Sequence, residues 1–425
     1  MNHQDVQLGP TGTVTFDRTA AGLTGIVVKG FLLSLVTFSI YRFWYITNLR
    51  RFFWSRTIVA GSPAEYLGRG KELFLGFLVA LAILVPVYLV LFILGFAVPI
   101  LAPAVPALSA AFLFLLGQYA IFRGRRYRAS RTRWRGIRLS QDGSALAYML
   151  RAGLWWLATI LSLGLAFPFM RASLERYRID HTLIGESRLR STATGRSVLL
   201  PWLMFYLFAV APLLLTGLGL LSATGFDVPT DLYLPDPAGK KTGFDLNPKY
   251  SDTPLEFFAV ASMVALGFSI LAVAFLIPYY RAREARAFLT ATHLGEARLV
   301  SHLKARQFYW PYIIYFLSVI GFFIVVGFLF AMVMHLLVGE EKNPGIQAAV
   351  YTGAGLLYVA TLLGAAVLYA RVVTLRLWHA VASTTEIENA AALDAVLASA
   401  YPPGSGLNEG LADALDVGGA LEIGF

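Results

Sequence analysis

The sequence contains no cysteine. Disulfide bonds, thiolate zinc sites, iron–sulfur clusters and cysteine nucleophiles are therefore excluded. Charged residues are also scarce, at 14% of the chain, whereas 57% of the residues are hydrophobic and the mean hydropathy is +0.65. This composition lies outside the range of soluble domains and indicates an integral membrane protein.

Eight apolar stretches approach the roughly 20 residues that a membrane helix needs. They lie at 23–46, 73–94, 96–122, 145–170, 198–222, 257–280, 312–338 and 346–370, and they contain no Asp or Glu. The lack of acidic residues argues against transport coupled through buried carboxylates, and more strongly against intramembrane aspartyl proteolysis. The lysines and arginines inside these segments are Lys29, Arg42 and Arg151, all near segment ends where a long side chain can reach the interface.

The net charge of +10 is concentrated in particular connections between the segments. Basic connections follow the first, third, fourth, sixth and eighth segments, and cationic loops stay in the cytoplasm. The connection at 223–256 is rich in Asp, and the last hairpin is closed by the acidic sequence GEEKNPG at 339–345. The charges therefore predict three hairpins that point outward, formed by segments two and three, five and six, and seven and eight.

The fourth segment, at 145–170, has basic connections on both sides. It contains Arg151, a Ser-Leu-Gly sequence at 162–164 and Pro168, each of which suits a bent element. We therefore expect this segment to enter and leave the membrane on one face, although it is long enough to cross. The count of transmembrane helices is accordingly six to eight.

The chain divides into three parts by composition. Residues 1–24 are expected to lie outside the membrane, with a short strand at 13–17 and no cleaved signal peptide. Residues 25–380 form the transmembrane domain. Residues 381–425 are acidic and rich in Gly, and we expect a largely flexible cytoplasmic tail whose first part forms a short helix.

A short unit recurs after several of the apolar segments. Aligning Thr57, Thr182 and Thr292 also superimposes three arginines, which are Arg51, Arg176 and Arg286. Arg126 and Thr132 fit this frame in part, whereas Arg371 and Arg376 fit it without a matching Thr or Gly. Each unit reads as an apolar helix, a basic continuation and a short strand that ends at a turn.

The predicted fold class is an all-α polytopic membrane protein with short cytoplasmic β-strands and internal repeats. The strands, including those at 13–17 and 63–68, are expected to form small sheets beneath the membrane. Such repeats often surround a central site. They can equally reflect the duplication of a packing unit.

Three blocks of this sequence resemble the YjgN family of bacterial inner-membrane proteins. They are SLVTFSIYRFWYITNLRRFFWSRT at 34–57, YRASRTRWRGIRLSQDGSALAY at 127–148 and LGLAFPFMRASLERYRIDHTLIG at 163–185. The resemblance spans roughly residues 13–385 and implies a multi-pass protein of the bacterial inner membrane. It supplies no established activity, cofactor or catalytic residue.

Half of the positions from Arg123 to Arg138 are arginine. Because the run begins where an apolar segment ends, we expect it to orient the protein and to contact anionic lipid headgroups, at about 1 kcal/mol for each charge. The candidate lipid contacts are Arg123, Arg125, Arg126, Arg128, Arg131, Arg133, Arg135, Arg138 and Arg151. The interleaved Tyr127 and Trp134 would suit stacking on nucleic acid, but the position of the run at the end of an apolar segment disfavours that alternative.

Catalytic and metal-binding motifs are missing in recognisable form. Of the six histidines, His293 and His302, nine residues apart, are the one pair near a ligand spacing. Metal binding would need ligands that converge from different loops, so no metal and no cofactor are expected. The expected partners are membrane lipids. Two functions stay open: transport or lipid handling at the cytoplasmic leaflet, and a scaffold that recruits a protein through its basic loops and strands.

The orientation of the fourth segment can be tested because the chain has no cysteine of its own. We expect Ser187→Cys and Ser191→Cys, made singly, to resist a membrane-impermeant thiol reagent added from the periplasm, since both follow a segment that returns to the cytoplasm. Asp236→Cys, in the acidic connection, is the labelled control. Labelling at 187 or 191 would mean that the fourth segment crosses the membrane.

Overall fold

The computed structural model describes residues 12–98, 100, 102–227, 229, 231–235, 244–338 and 344–398. Its helices are α1 Leu23–Val36, α2 Arg42–Ser55, α3 Gly70–Ala97, α4 Val105–Ser130, α5 Ala145–Leu161, α6 Phe167–Asp180, α7 Leu199–Phe205, α8 Ala211–Ala223, α9 Pro254–Thr290, α10 Ala305–Val338, α11 Pro344–Leu368 and α12 Leu375–Ser383. The π-helical turns Tyr206–Val210 and Tyr369–Thr374 make α7 continuous with α8, and α11 continuous with α12.

The strands are short. They are β1 Gly12–Phe16, β2 Thr57–Val59, β3 Ser62–Tyr66, β4 Thr132–Trp134, β5 Ile137–Gln141, β6 Thr182–Ile184, β7 Ser187–Ser191, β8 Tyr233–Pro235, β9 Phe244–Leu246, β10 Thr292–Leu294, β11 Ala297–Ser301 and β12 Thr385–Glu388. The expected strands at 13–17 and 63–68 are confirmed as β1 and β3.

Ten of these strands close into a single antiparallel barrel, in the order β1-β12-β11-β10-β7-β6-β5-β4-β3-β2. The expectation of several small sheets in an otherwise all-α protein is corrected by this closure. A sheet of three-residue strands exposes edges that need partners, and a closed ring removes every edge. β8 and β9 form a separate two-stranded sheet in the acidic connection.

Four hairpins of the barrel turn through two residues each. In the first, Val59 pairs with Ser62, so Ala60 and Gly61 form the turn, both with positive φ. Gly185 and Gly295 open two of the other turns, with φ near +60°. Two-residue hairpins favour turns with positive φ because their twist matches that of the strands. Because the helices join the strands at the other end of the barrel, all four turns lie at the end away from the helices.

A threonine stands at each of the five junctions where a helix enters the barrel. Its hydroxyl donates to the backbone carbonyl four residues earlier, over 2.7 to 2.9 Å, at Thr57, Thr132, Thr182, Thr292 and Thr385. The bond satisfies one of the carbonyls that the end of a helix leaves free. The expectation that the unit after the eighth segment lacks this threonine is corrected by Thr385.

Two rings of inward-facing side chains fill the barrel, because alternate residues of a strand face the same side. The ring next to the helices, here the polar ring, comprises Phe16, Thr57, Tyr66, Thr132, Gln141, Thr182, Ser191, Thr292, Ser301 and Thr385. The ring below it, here the apolar ring, comprises Val14, Val59, Ala64, Trp134, Leu139, Ile184, Leu189, Leu294, Leu299 and Ile387.

Residues 389–397, here the plug, cover the turn end of the barrel. Leu393 and Val396 pack into the same core as Trp134 and Ile387, and the Glu186 amide donates to the Leu397 carbonyl over 3.1 Å. The first part of the tail at 381–425 was expected to be a short helix, but it contains β12 before the 3-10 turn of the plug. Residues 399–425 lie outside the described residues.

Six helical stretches of the described chain are long and apolar enough to cross a membrane. They are Gly70–Ala97, Val105–Ser130, Gly195–Ala223, Pro254–Thr290, Ala305–Met332 and Thr352–Ser383. The predicted segment 96–122 is shifted, since its helix begins at Val105, beside Pro106 in its first turn, and continues through the arginines to Ser130. The protein is a polytopic membrane protein.

The first and fourth predicted segments are each broken into two short helices. The expected break at 162–164 is confirmed, with Leu163 and Gly164 at positive φ, and Phe38 and Ser39 make the same turn between α1 and α2. In both turns an amide donates to the hydroxyl four residues before it over 2.9 Å, from Tyr41 to Thr37 and from Ala166 to Ser162. We call α1–α2 and α5–α6 the short pairs.

Gly185 and Gly295 provide a matched test of the plug. Both have φ near +60°, but a Cβ on Gly185 would lie 1.9 Å from the Leu397 carbonyl oxygen, whereas a Cβ on Gly295 would meet open space. Either change to Ala carries about 1–2 kcal/mol of backbone strain. We expect Gly185→Ala alone to displace the plug, and so to raise the maleimide labelling of a cysteine placed at the buried Leu393. Equal labelling in both variants would contradict this role of Leu397.

Candidate anion site

One face of α6 carries a row of polar residues that leads into the barrel. Arg171, Glu175, Arg178 and Thr182 are spaced by four, three and four residues, which places them above one another on a helix. Thr182 belongs to the polar ring and is buried. The row therefore approaches the barrel from the helical side, and Arg178 lies one turn above the ring.

Glu175 is shared by two arginines from different helices. Its Oε2 lies 2.5 Å from Arg178 Nη2, within α6, and its Oε1 lies 3.8 Å from Arg125 Nη1 on α4. Arg125 and Glu175 each stand seven residues before the threonine of their own junction, so they lie at similar heights, about 10 Å above the polar ring. The pair joins two adjacent helix pairs.

A second carboxylate, Glu284 of α9, binds Arg171 through both of its oxygens. Arg171 Nε donates to Oε1 over 2.7 Å and Nη2 to Oε2 over 3.0 Å, which is the bidentate geometry of a strong arginine pair. The Tyr280 hydroxyl donates to Oε1 over 3.0 Å, and Arg281 Nη1 to Oε2 over 3.3 Å. Only 4% of the Glu284 side chain is exposed.

Arginines outnumber carboxylates in this cluster. Arg125, Arg171, Arg178 and Arg281 are set against Glu175 and Glu284. Arg125 and Glu175 are half-buried, with 25% of the Arg125 side chain and 15% of the Glu175 side chain exposed. The exposed part of the cluster therefore carries more positive than negative charge.

Several buried polar atoms at the helical end of the barrel lack a hydrogen-bond partner in the described chain. They include both amide atoms of Gln141, the Ser301 hydroxyl and Arg178 Nε. Gln141 pairs across the strands with Thr182, and 6% of its surface is exposed; for Ser301 the figure is 1%. A buried polar group without a partner costs about 1–3 kcal/mol, so these atoms point to something that binds them.

The surrounding arginines control the ionisation of Glu175. Burial opposes the charged carboxylate, but the guanidinium groups of Arg178, Arg125 and Arg171 outweigh burial and hold the pKa of Glu175 below its usual value. Burial likewise opposes the charge of Arg171, and Glu284 outweighs it and raises the pKa of Arg171. Glu175 and Arg171 therefore stay ionised at neutral pH.

The arrangement is suited to binding an anion. It offers guanidinium donors in excess and a buried amide, at a half-buried place in the molecule. In the part of the chain that the structure describes, no three His, Asp or Glu side chains come together as metal ligands. We call Arg125, Arg171, Glu175, Arg178, Glu284 and Gln141 the anion site.

The structure separates the arginines that the sequence grouped as lipid contacts. Arg123, Arg125, Arg126 and Arg128 lie in α4, Arg131 follows its last residue, and Arg133, Arg135 and Arg138 lie on the barrel. Arg131 pairs with Glu72 over 2.9 Å, and Arg135 pairs with Asp394 of the plug over 2.6 Å. Lipid contact by these residues stays a prediction, as it does for Arg151, whose guanidinium lies over the Tyr177 ring.

The aligned arginines of the repeat lie elsewhere. Arg51, Arg176 and Arg286 are exposed and belong to the outer surface of their helices. Arg51 Nη2 donates to the Gly68 carbonyl over 2.7 Å, and Arg126 Nη2 donates to the Gly143 carbonyl in the next unit. Arg51 and Arg126 therefore connect their helices to the residues that follow the barrel hairpin.

Sequence reasoning missed all but Arg125 of the anion site. The available signal was the spacing of Arg171, Glu175, Arg178 and Thr182, which a helical reading of 167–182 would have placed on one face. By charge alone, these residues belong to the basic connection after the fourth segment. Glu284 carried no comparable signal, because its partner Arg171 is 113 residues away in the sequence.

Comparison with known proteins returned one family. A family model described as bacterial protein of unknown function (DUF898) matches residues 11–414. Neither the curated proteins nor the solved structures gave a match.

Replacing Glu175 by Gln tests the electrostatics of the site. The folded-state pKa of Glu175 lies below its usual 4.5, so its ionisation stabilises the fold above that pH. The stabilisation is lost as the pH falls through the folded pKa. We expect Glu175→Gln to lower the thermal midpoint at pH 7, by the equivalent of about 3–5 kcal/mol for a broken buried pair, and the difference to shrink below about pH 4.5.

Glu186→Gln is the control for this measurement, because Glu186 is exposed in a hairpin turn. We expect its midpoint to follow the wild type at every pH. A constant difference between Glu175→Gln and the wild type from pH 7 to pH 3 would show that the Glu175 charge does not contribute.

Proposed function

We propose a function for a chain that belongs to the DUF898 family of bacterial proteins of unknown function, the YjgN-like family that its sequence resembles. The protein binds an anion of the phosphate class at the anion site, and it transports or handles that anion at the cytoplasmic side of the bacterial inner membrane. The proposal assigns no catalytic residue and no cofactor. It places the barrel and β12 in the cytoplasm, because the basic connections lead into the barrel.

The observation that carries the proposal is the excess of half-buried arginine over carboxylate. A half-buried arginine without a full counter-charge is unfavourable, because removing an ion from water costs free energy. Arg125 and Arg178 share the single carboxylate of Glu175. A phosphate-type anion would supply the missing charge and would accept bidentate hydrogen bonds from a guanidinium.

The residues of the site come from several parts of the chain. Arg125 lies on α4, Arg178 on α6, Glu284 on α9 and Gln141 on β5. Binding at such a place would connect separate helix pairs, which is the arrangement expected of a path or a carrier site. A scaffold that only recruits a partner has no need of two half-buried arginines on one carboxylate.

Thermal unfolding of the purified protein tests the proposal, with inorganic phosphate as the probe and sodium chloride of equal ionic strength as the reference. A ligand that binds only the folded state stabilises it by about 2.7 kcal/mol at 100 times its dissociation constant. We expect phosphate to raise the midpoint of the wild type, and Arg178→Gln to abolish most of the rise. Arg298→Gln, an exposed change on the barrel exterior, should respond like the wild type.

Gln141→Leu provides a second variant that keeps the fold. It removes a buried amide that has no partner, so we expect it to unfold at or above the wild-type midpoint and to respond less to phosphate. A full phosphate response in both Arg178→Gln and Gln141→Leu would overturn the assignment. An equal midpoint of the wild type in phosphate and in chloride would favour the scaffold.

A further inference from the structure

We infer that the ligand of the anion site is an anionic amphiphile, whose phosphate binds the arginines while its acyl chains leave the protein over the α5–α6 short pair. The inference rests on the proposed function and adds the substrate class and the route of entry. It is carried by the closure of the barrel below the site and by the difference in height between the helix pairs around it.

The barrel offers no path from below. Directly under the polar ring, cross-strand pairs of apolar residues form the complete apolar ring, which includes the large side chains of Trp134, Leu139 and Leu294. Beneath it the plug inserts Leu393 and Val396 into the same core. A charged ligand entering through the turn end would have to displace both layers.

The helical side is open in two places, because the short pairs stop well below their neighbours. α3 and α5 both begin directly after a barrel hairpin, but α3 has 28 residues and α5 has 17. At 1.5 Å per residue α5 ends about 17 Å lower than α3. The α1 helix, with 14 residues, ends lower still.

Apolar side chains cover the tips of the short pairs. Leu161 is 76% exposed and Leu163 is 54% exposed at the α5–α6 turn, and Phe38 is 94% exposed at the α1–α2 turn. A tip in contact with water would not present such residues, because their exposure is unfavourable. The tips therefore contact lipid part of the way across the membrane.

The α3–α4 pair stands between the two short pairs. In the described chain its main helical contacts outside the pair are those of α3 with α2 and of α4 with α5. Above the tips of those neighbours its surface is apolar and exposed, as at Val85, Val90 and Phe96. Lipid therefore reaches both sides of α3–α4, and the space above α5–α6 adjoins it.

The anion site lies on the helix that descends from the α5–α6 tip. α6 begins at Phe167 beside the tip and carries Arg171 one turn lower, with Arg178 about 17 Å below the tip. Arg171 keeps 26% of its side chain uncovered. A phosphate held by Arg178 and Arg125 would thus have an apolar route upward, which suits an ester of a lipid chain better than a free inorganic anion.

Photocrosslinking tests the route. The probe is a phosphatidic acid with a diazirine at the end of one acyl chain, added to the purified full-length protein in neutral detergent. We expect adducts at 158–166, around the α5–α6 tip, in addition to general lipid adducts on α3. We expect Arg178→Gln to weaken tip labelling about tenfold, the effect of losing one charge-assisted hydrogen bond. Labelling of α3 should not change, and excess inorganic phosphate should compete at the tip alone.

The outcomes separate this inference from the proposed function. Tip labelling that depends on Arg178 and exceeds that of a diazirine diacylglycerol without phosphate supports both. If inorganic phosphate raises the thermal midpoint but the tip is labelled no better by phosphatidic acid than by diacylglycerol, the site binds a free anion and the inference fails. If phosphate has no effect on the midpoint and tip labelling is indifferent to Arg178, the anion site itself is refuted.

Discussion

Ten strands of three to five residues hold the helices of this protein in one arrangement, because their hydrogen bonds close into a ring. Strands of this length are too short to be stable as isolated hairpins. Closure leaves no edge unpaired, and each helix that enters the barrel continues directly into a strand through a threonine bonded to the last helical turn. The spacing of the helices around the axis therefore follows from the spacing of the strands.

The same geometry explains why charged groups gather inside a membrane protein. The helices converge on the polar ring, so residues seven positions before each threonine share one level. Arg50, Arg125 and Glu175 occupy that level. Arg50 is buried and its Nη1 donates to the Tyr66 hydroxyl over 3.2 Å. Polar residues are retained at this level since each finds a partner on another helix or strand, with the exception of the atoms that we assign to ligand binding.

The sequence predicted the apolar helices well and the barrel poorly. Long apolar runs are local signals, and the Ser-Leu-Gly break at 162–164 has a local cause in positive φ. Barrel closure is not local, since Thr385 of β12 pairs with Ser301 and β1 pairs with both β12 and β2. The fifth threonine was also missed because the alignment counted from Arg376, and Thr385 lies nine residues after it, whereas Thr292 lies six residues after Arg286.

The two short pairs make the ring of helices unequal in height. In chain order they are the first and the third of the five pairs, so the α3–α4 pair is the one with a short pair on each side. A bundle of five equal pairs would enclose the anion site in protein throughout the membrane. Shortening one neighbouring pair would open the site to lipid while α9 still supplies Glu284 opposite Arg171. In the proposed complex, the arginines on the fixed side bind the phosphate of the ligand, and the side above the short pair admits its acyl chain. An amphiphilic ligand requires both.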